Sequence, residues 1–285
     1  MPSRARSPLV SVVVTCYDYA ALLPRALESV RGQTLVDWEL IVVDDGSRDA
    51  TRAVAQSFAD AHDDLDITLL HTRNRGLGRA RNAGISLARG RYVACLDADD
   101  YFAPTALAKL SAALEAAPGA DVARPYLRSF GVERRVWEYP PYDFATSTAI
   151  DAAPYCAMFR RTAWERAGGF DEAMPAYEDW DFWVAVGKQG GHMTTVPEPL
   201  HHYRTSTDGL FARNRHRDLE LRATIVDHHP DVYDAATQQL AKRILAGENV
   251  DADLADAPPH QIFALSYRAR TLHGEDVSGD FGAAD

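Results

Sequence analysis

The chain of 285 residues is poor in cysteine. Its three cysteines are widely spaced and lie in apolar runs, at Cys16, Cys95 and Cys156. Small secreted domains held together by disulfides carry several cysteines close together. The spacing therefore argues against a disulfide framework and predicts reduced thiols in the core.

A long hydrophobic run is also missing. No stretch approaches the roughly 18 consecutive apolar residues that a membrane-spanning helix needs. Arg4 and Arg6 precede an apolar run over residues 9–16, as in a signal peptide, but this run is short and meets Asp18 without a small-residue cleavage site. We therefore expect no transmembrane segment and a cytoplasmic protein.

The chain has no excess of basic residues. Its formal net charge is −11, and residues 247–285 contribute −6 of this because they hold 8 acids and 2 bases. A nucleic-acid partner would require a basic face, so none is expected. With 46% hydrophobic residues, the chain can bury a substantial core.

Apolar strands alternate with amphipathic helices in the first 100 residues. Strands are predicted over residues 9–15, 39–43, 67–71 and 92–96, with helices over 20–31, 48–61 and 78–89. This alternation is typical of a parallel sheet covered by helices on both faces, in which ligands bind at the carboxyl ends of the strands. Polar clusters at residues 15–17, 44–47 and 97–99 follow three of these strands and should converge on one edge.

The second half alternates less regularly. Strands are predicted over residues 122–130 and 153–160, extended segments over 194–196 and 200–203, and an aromatic loop over a cleft at 134–149. Helices are predicted over residues 104–117, 162–167, 179–189, 217–228, 232–245 and 259–272.

Two acidic motifs carry the chemistry. Asp97 and Asp99 lie two residues apart at the end of a predicted strand, so their side chains lie on the same side of the backbone. Such oxygen ligands suit a divalent cation, which can neutralise a diphosphate. The second motif, Glu178-Asp179-Trp180-Asp181, opens a predicted helix and could supply a base.

Each motif has a simpler interpretation when taken alone. Asp44-Asp45-Gly46-Ser47 has the composition of a turn. Asp99 or Asp100 could cap the helix that begins near Pro104. Glu178 and Asp179 could favour a helix N-terminus through the helix dipole.

Taken in order, the motifs resemble those of family 2 glycosyltransferases. The first half of the chain carries them as VSVVVTCY (residues 10–17), ALESVRGQT (26–34), ELIVVDDGS (39–47), NRG (74–76), ARNAG (80–84) and LDADD (96–100). The second half adds GGFD (168–171), EDWDFW (178–183) and HYR (202–204). The resemblance covers about residues 8–205 and fades beyond residue 207.

The resemblance implies a GT-A fold, which is an α/β fold with a Rossmann-like, mostly parallel central sheet flanked by helices. Residues 1–205 would form this domain, with a nucleotide-binding half at about 8–100 and an acceptor half at about 101–205. A C-terminal helical extension would follow at 206–273, and then an acidic flexible tail at 274–285. The implied reaction is an inverting transfer from a nucleotide-activated sugar, most often a UDP-sugar.

The resemblance also implies roles for the residues of the nucleotide pocket. Thr15 and Tyr17 would line the nucleoside pocket, with the Tyr17 ring against the base. Asp45, with Asp44 beside it, would bind uracil, since an ionised carboxylate accepts a hydrogen bond from the N3–H group. The ribose hydroxyls would be bound by Asp97.

Other roles concern the diphosphate and the acceptor. Asp99 would hold Mn²⁺ or Mg²⁺ bridging the two phosphates, and Arg79 or Arg81 could reach the same diphosphate. Asp179 is the candidate general base, because a carboxylate beyond the acceptor hydroxyl can take its proton as the new bond forms. Glu178 and Trp180 would flank the acceptor.

A third metal ligand is less well defined. His201 and His202 are adjacent on an extended segment, so they point to opposite sides and at most one of them can reach the metal. His202 is the favoured one. Tyr203 and Arg204 would either close over phosphate or form surface pairs.

Two other functions share this fold. A sugar-1-phosphate nucleotidyltransferase would need a Gly-rich basic loop after the first strand, but Thr15-Cys16-Tyr17-Asp18-Tyr19 has no glycine, lysine or arginine. A non-catalytic nucleotide-sugar-binding module would have no need of Asp99 and Asp179. The sequence does not distinguish between a glycan, a lipid-linked intermediate, a protein side chain and a small natural product as the acceptor. The C-terminal helices could form the interface of a homodimer.

Overall fold

The computed structural model describes residues 7–257 and residue 264. Its strands, in chain order, are β1 (Val10–Cys16), β2 (Trp38–Asp44), β3 (Ile67–His71), β4 (Tyr92–Asp97), β5 (Tyr101–Phe102), β6 (Val122–Gly131), β7 (Val136–Trp137), β8 (Met158–Arg160) and β9 (Met193–Thr205). The α-helices are α1 (Leu23–Arg31), α2 (Thr51–Ala61), α3 (Leu77–Leu87), α4 (Ala106–Ala116), α5 (Phe144–Ser147), α6 (Arg161–Ala167), α7 (Glu178–Lys188), α8 (Leu210–Asn214), α9 (Asp218–His228), α10 (Ala235–Leu245) and α11 (Asp251–Asp256).

One mixed sheet forms the centre of the described structure. Its strand order is β3-β2-β1-β4-β8-β6-β9-β5, and β7 pairs with β6. The pairs β1–β2, β1–β4 and β2–β3 are parallel, whereas β8 runs antiparallel to both β4 and β6. The predicted α/β fold with a mostly parallel sheet in the first half is therefore confirmed.

The two central strands are apolar along almost their whole length because helices cover both of their faces. All seven residues of β1 are buried, as are five of the six residues of β4. Helix α3 approaches the sheet so closely that Gly84 lies against Val13 and Val43, and a Cβ there would come within 2.4 Å of a Val13 methyl. Cys16, Cys95 and Cys156 are free thiols in this core, as predicted.

The second half departs from the prediction at one strand. Residues 153–160 were expected to be extended throughout, but only Met158–Arg160 forms β8. Pro154 has no N–H group to donate to a neighbouring strand, and its carbonyl accepts from the Ala157 N–H in a turn at 2.9 Å. The predicted cleft loop at 134–149 contains β7 and α5.

The C-terminal helices pack on α7. Leu221 and Ile225 of α9 contact Trp180 and Val184 of α7 in one buried cluster, and α10 packs on the other side of α9. The predicted helix over residues 259–272 and the acidic tail lie outside the described residues, except for residue 264. We find no helix in the described part of the chain that is long and apolar enough to cross a bilayer.

Candidate active site

The sheet register brings the predicted polar clusters together at one edge. Thr15 of β1 pairs with Asp97 of β4, and the next residue of β1 pairs with Asp44 of β2. The Thr15 hydroxyl donates to Asp97 Oδ1 at 3.0 Å. The first carboxylate of the LDADD motif is therefore held in place by the neighbouring strand. Thr15 is itself buried and acts as a support for Asp97.

Asp45 is buried and shapes the loop that follows β3. Its carboxylate accepts from the Thr72 hydroxyl at 2.8 Å and from the backbone N–H of Gly76 at 3.0 Å. The neighbouring Gly46 has φ +80°, and a Cβ there would lie 2.6 Å from the Asn74 nitrogen. Glycine is therefore required where the two loops meet. Asp44 turns the other way, accepting from the Ser47 N–H at 2.9 Å and facing His71 Nδ1 at 3.3 Å.

Tyr17 lies at the open side of this edge. Its ring is half-buried, and the Arg48 guanidinium lies 5.5 Å from the ring centroid. The next residue, Asp18, has φ 57°, which is uncommon for a residue with a side chain. Its carboxylate accepts from the Arg48 N–H at 2.6 Å, and this bond fixes the turn that presents Tyr17.

Three carboxylates crowd together at the end of β4. Asp97 and Asp99 are partly exposed, while Asp100 between them and β9 is buried. Burial, together with the charges of Asp100 and Asp97, raises the pKa of Asp99 to about 7. Only one cation meets Asp99 directly among the described residues, the Arg204 guanidinium at 3.3 Å. The negative charges of these carboxylates repel one another. Carboxylate oxygens are also the ligands that a hard divalent cation prefers, so this cluster is suited to bind one.

Asp100 anchors β9 to the acidic motif. It accepts from His201 Nε2 at 2.9 Å, from the Arg204 N–H at 2.6 Å and from the Tyr155 hydroxyl. The same hydroxyl accepts from the Asp97 N–H at 3.1 Å. Asp100 is therefore a structural link and does not cap the following helix, where Thr105 holds the cap position.

His202 is placed away from this cluster. Its ring stacks on Tyr101 with centroids 4.2 Å apart, on the side of β9 opposite to His201. Burial lowers the pKa of His202 to about 4, and the charged groups that contribute are His201, Arg128 and Arg25, with no carboxylate among them. The structure thus gives no support to His202 as a metal ligand. His201 contacts the acidic cluster instead, as the alternation of side chains along a strand requires.

Arg81 joins the two acidic motifs. Its side chain is 1% exposed, and its guanidinium donates to Glu178 Oε1 at 2.6 Å and to the Asp97 oxygens at 3.1 and 3.2 Å. Burial alone would lower the pKa of Arg81, but the charges of Asp97 and Glu178 raise it overall. Arg81 is therefore a brace between β4 and α7, and it is not free to bind a diphosphate. Arg79 turns outward to an exposed pair with Glu172 at 2.7 Å.

Asp179 is the accessible residue of the second motif. Glu178, Trp180 and Asp181 are buried, whereas Asp179 is half-buried. Burial raises the pKa of Asp179, and the charge of Arg81 partly offsets this rise. Tyr177, just before α7, has φ 62°. A positive φ in a bulky residue stores strain. Here the strained residue lies in the turn that positions Asp179 in the first turn of α7.

The positions of Glu178 and Trp180 differ from the expectation that both flank an acceptor. Glu178 is buried in its ion pair with Arg81. Trp180 is 2% exposed, its indole N–H donates to the Ser147 carbonyl at 2.9 Å, and its ring packs against α9. Helix α7 is covered on this side, so the Trp180 ring has no open face for a sugar.

Tyr155 and Asp100 form part of the site but were not predicted. Tyr155 lies in an irregular segment whose approach to β4 leaves no local pattern in the sequence. Asp100 does stand in the LDADD motif, and its burial could have been suspected from its position between an apolar strand and the next apolar pair, Tyr101-Phe102.

Solved structures share this arrangement of sheet and helices. TarS 1–349 from S. aureus in complex with UDP-GlcNAc aligns with a TM-score of 0.68 at 17% identity, over 92% of this chain and 83% of that one. The mannosyltransferase PcManGT from Pyrobaculum calidifontis, in complex with GDP-Man and Mn²⁺, aligns with a TM-score of 0.60 at 22% identity, over 97% and 90%. The fold is that of the GT-A glycosyltransferases.

Sequence comparison identifies the family. Residues 11–168 match the profile of glycosyl transferase family 2, and the chain belongs to that family. It is 29% identical over 189 residues to chondroitin synthase from Escherichia coli, which covers 65% of this chain and 27% of the relative. It is 29% identical over 266 residues to the succinoglycan biosynthesis protein ExoO from Rhizobium meliloti, covering 86% and 75%. EpsJ of Bacillus subtilis is 28% identical over 71% of this chain and 63% of its own length.

Proposed function

We propose that this protein transfers a sugar from a nucleoside diphosphate, preferably UDP, to an acceptor hydroxyl with inversion at the anomeric carbon. The observation that carries the proposal is the Arg81 brace. By holding both Asp97 and Glu178, Arg81 fixes the partly exposed Asp179 relative to the partly exposed Asp97 and Asp99. The candidate base would thereby be held close to the donor-binding edge. Burial raises the pKa of Asp179, and Asp97 is near enough for its charge to add to this rise.

The nucleotide would bind along the edge of the sheet. Tyr17 offers a ring face for the base, and the exposed part of Asp97 can accept from ribose hydroxyls. Both Asp45 oxygens accept within the loop at residues 72–76, from the Thr72 hydroxyl and from the Arg75 and Gly76 N–H groups, and the Arg75 N–H is shared between the two oxygens at 3.2 Å. The uracil N3–H would replace this shared contact on one oxygen, since an ionised carboxylate only accepts hydrogen bonds.

Asp99 is the residue best suited to hold Mn²⁺ or Mg²⁺. Its raised pKa reflects burial first and then the charges of Asp100 and Asp97, and a divalent ion bound to Asp99 would favour the ionised carboxylate against both. When bound, the ion would offset the charge that develops on the departing diphosphate. Arg204, which already contacts Asp99 at 3.3 Å, can move with the phosphates as they bind.

Asp179 would take the proton of the acceptor hydroxyl. A base with a raised pKa accepts a proton more readily, and burial raises the pKa of Asp179 without closing it to solvent. The acceptor hydroxyl would approach from the side opposite the diphosphate. Glu178 contributes by fixing the first turn of α7 through Arg81 and does not contact the acceptor.

Calorimetry with nucleotides tests the donor site. UDP, GDP and a set of UDP-sugars are titrated into the protein with MnCl₂ and again with EDTA. We expect UDP to bind in the presence of Mn²⁺ and to lose at least about tenfold in affinity with EDTA, equivalent to about 1.4 kcal/mol. A preference for GDP would overturn the role of Asp45, and binding that is insensitive to EDTA would overturn the role of Asp99.

A further inference from the structure

A second group of metal-ligating side chains lies on the far side of α7 from Asp179. Asp179 and Asp181 are two residues apart on the helix and therefore project about 200° apart around its axis. Asp181 faces the C-terminal end of α9, where its Oδ1 lies 3.1 Å from His228 Nδ1. Asp171, from the loop before α7, brings its Oδ2 to 3.2 Å from the same nitrogen.

Hydrogen bonding explains why Asp181 lies near His228 but does not explain why Asp171 lies equally near. His228 Nδ1 can carry one proton, yet two carboxylates converge on it, and the hydrogen bond goes to Asp181. The ligand atoms of Asp171, Asp181 and His228 all lie within 4.8 Å of one another. The Asp181 side chain is 8% exposed, so its charge depends on the hydrogen bonds and the positive charge that nearby groups supply.

His229 supplies an independent observation. Its imidazole is 6% exposed, and its Nε2 points at the same Asp181 oxygen from 3.1 Å. Its Nδ1 is buried and has no hydrogen-bond partner in the described part of the chain. A buried imidazole that orients a carboxylate from behind is the arrangement that commonly supports a ligand of a bound metal.

We propose that Asp171, Asp181 and His228 bind a Zn²⁺ ion that is separate from the ion of the donor site. His228 Nδ1 and one oxygen of each carboxylate are the ligands, and His229 holds Asp181 in place. One nitrogen and two oxygen donors suit Zn²⁺. Zinc bonds of about 2.0–2.1 Å in a tetrahedron place ligand atoms about 3.3–3.4 Å apart. This is close to the 3.2 and 3.1 Å that separate His228 Nδ1 from the Asp171 and Asp181 oxygens.

The site has an open side through which the ion can enter. The side chains of Asp171 and His228 are 27% and 33% exposed. This opening leaves room for water as the fourth ligand, as in zinc sites with three protein ligands. The bound ion would join α9 to α7 and to the loop before it, and would thereby fix the C-terminal helices against the helix that carries Asp179.

Zinc binding to the full chain tests this inference without an activity assay. The protein is stripped with a chelator, dialysed and titrated with ZnCl₂ in the absence of nucleotide, and bound zinc is counted by mass spectrometry of the metal. We expect one Zn²⁺ per chain. Cobalt in its place should give the intense visible bands of a four-coordinate ion.

Asp171→Asn is the matched variant. The Ala173 N–H donates to Asp171 Oδ1 at 2.7 Å, and the asparagine oxygen can still accept this bond, so the loop is preserved. Zinc affinity should fall by more than about 100-fold, since loss of an outer-shell partner alone costs 10–100-fold. His228→Gln should have the same effect, while circular dichroism confirms that both variants fold.

Asp99→Asn separates this site from the donor site. It should keep the nucleotide-independent zinc and lose metal-dependent binding of UDP. The inference is overturned if the parent protein binds no zinc, or if Asp171→Asn and His228→Gln bind it as tightly as the parent. In either case the histidines form a hydrogen-bonded clamp on Asp181, and the proposed transferase function is unaffected.

Discussion

The Arg81 guanidinium lies 2.6 Å from the Glu178 carboxylate, although 97 residues separate the two along the chain. Both side chains are buried, at 1% and 4% exposure. Arg81 also reaches Asp97, so that two carboxylates share one cation. Through Arg81, the end of β4 is connected to the start of α7, and the two acidic motifs are brought together.

Arg81→Met should destabilise the fold strongly. Removing one partner from a buried ion pair leaves an uncompensated charge, which costs about 3–5 kcal/mol. The loss should appear as a lower free energy of unfolding in urea. Arg79→Met is the control, because its pair with Glu172 is exposed and exposed pairs contribute about 0–1 kcal/mol. Equal effects of the two changes would show that Arg81 is not a brace.

Asp179→Asn should remove catalysis and spare donor binding. The amide keeps the shape of the side chain and can still accept the Trp180 N–H, which meets Asp179 Oδ1 at 3.0 Å. A general base contributes about 10²–10⁴-fold to rate, so kcat should fall by that factor. Calorimetry should show UDP affinity within about threefold of the parent, a difference of less than 1 kcal/mol. Turnover close to the parent value would exclude Asp179 as the base.

Much of the fold could be predicted because its first half repeats one local pattern. Each buried strand is a short, mostly apolar run, and each ends in polar residues that the parallel register then aligns, as Thr15 and Asp97 show. The β8 region could not be predicted in the same way. Its residues are as apolar as those of a strand, and the turn at Pro154 decides where pairing begins.

The site was predictable in its residue types and less so in its contacts. The sequence placed Asp97, Asp99 and Asp179 correctly at strand and helix ends. It could not show that Arg81 is buried or that Trp180 faces α9, since both depend on contacts between distant segments. His202 was preferred over His201 without a physical reason, and the direction of β9 decides between them.

Trp180→Phe distinguishes a core tryptophan from one that contacts the acceptor. Phenylalanine keeps an aromatic ring in the cluster with α9 but leaves the buried Ser147 carbonyl without its donor, which costs about 1–3 kcal/mol. We therefore expect a lower melting temperature together with an unchanged KM for the acceptor in initial-rate assays. A raised acceptor KM in a variant of normal stability would contradict this prediction and indicate that Trp180 contacts the acceptor.

Gly84→Ala tests how closely α3 packs on the sheet. The new Cβ would lie 2.4 Å from Val13 Cγ1 and 2.9 Å from Val43 Cγ2. Both valines are β-branched and fully packed in the core, so they cannot turn aside. Overpacking of this kind costs about 1–3 kcal/mol, more than the helix propensity gained from alanine, which is about 1 kcal/mol.

The matched change is Gly119→Ala, where a Cβ would meet nothing within 4 Å. Alanine there restricts the unfolded chain and should leave stability unchanged or raise it by about 0.4–1 kcal/mol. Urea unfolding of both variants gives the comparison directly. Since α3 carries Arg81, the Gly84 variant should also weaken UDP binding, and the Gly119 variant should not. If Gly84→Ala were as stable as the parent, α3 would have to be able to move away from the sheet without disturbing the Arg81 brace.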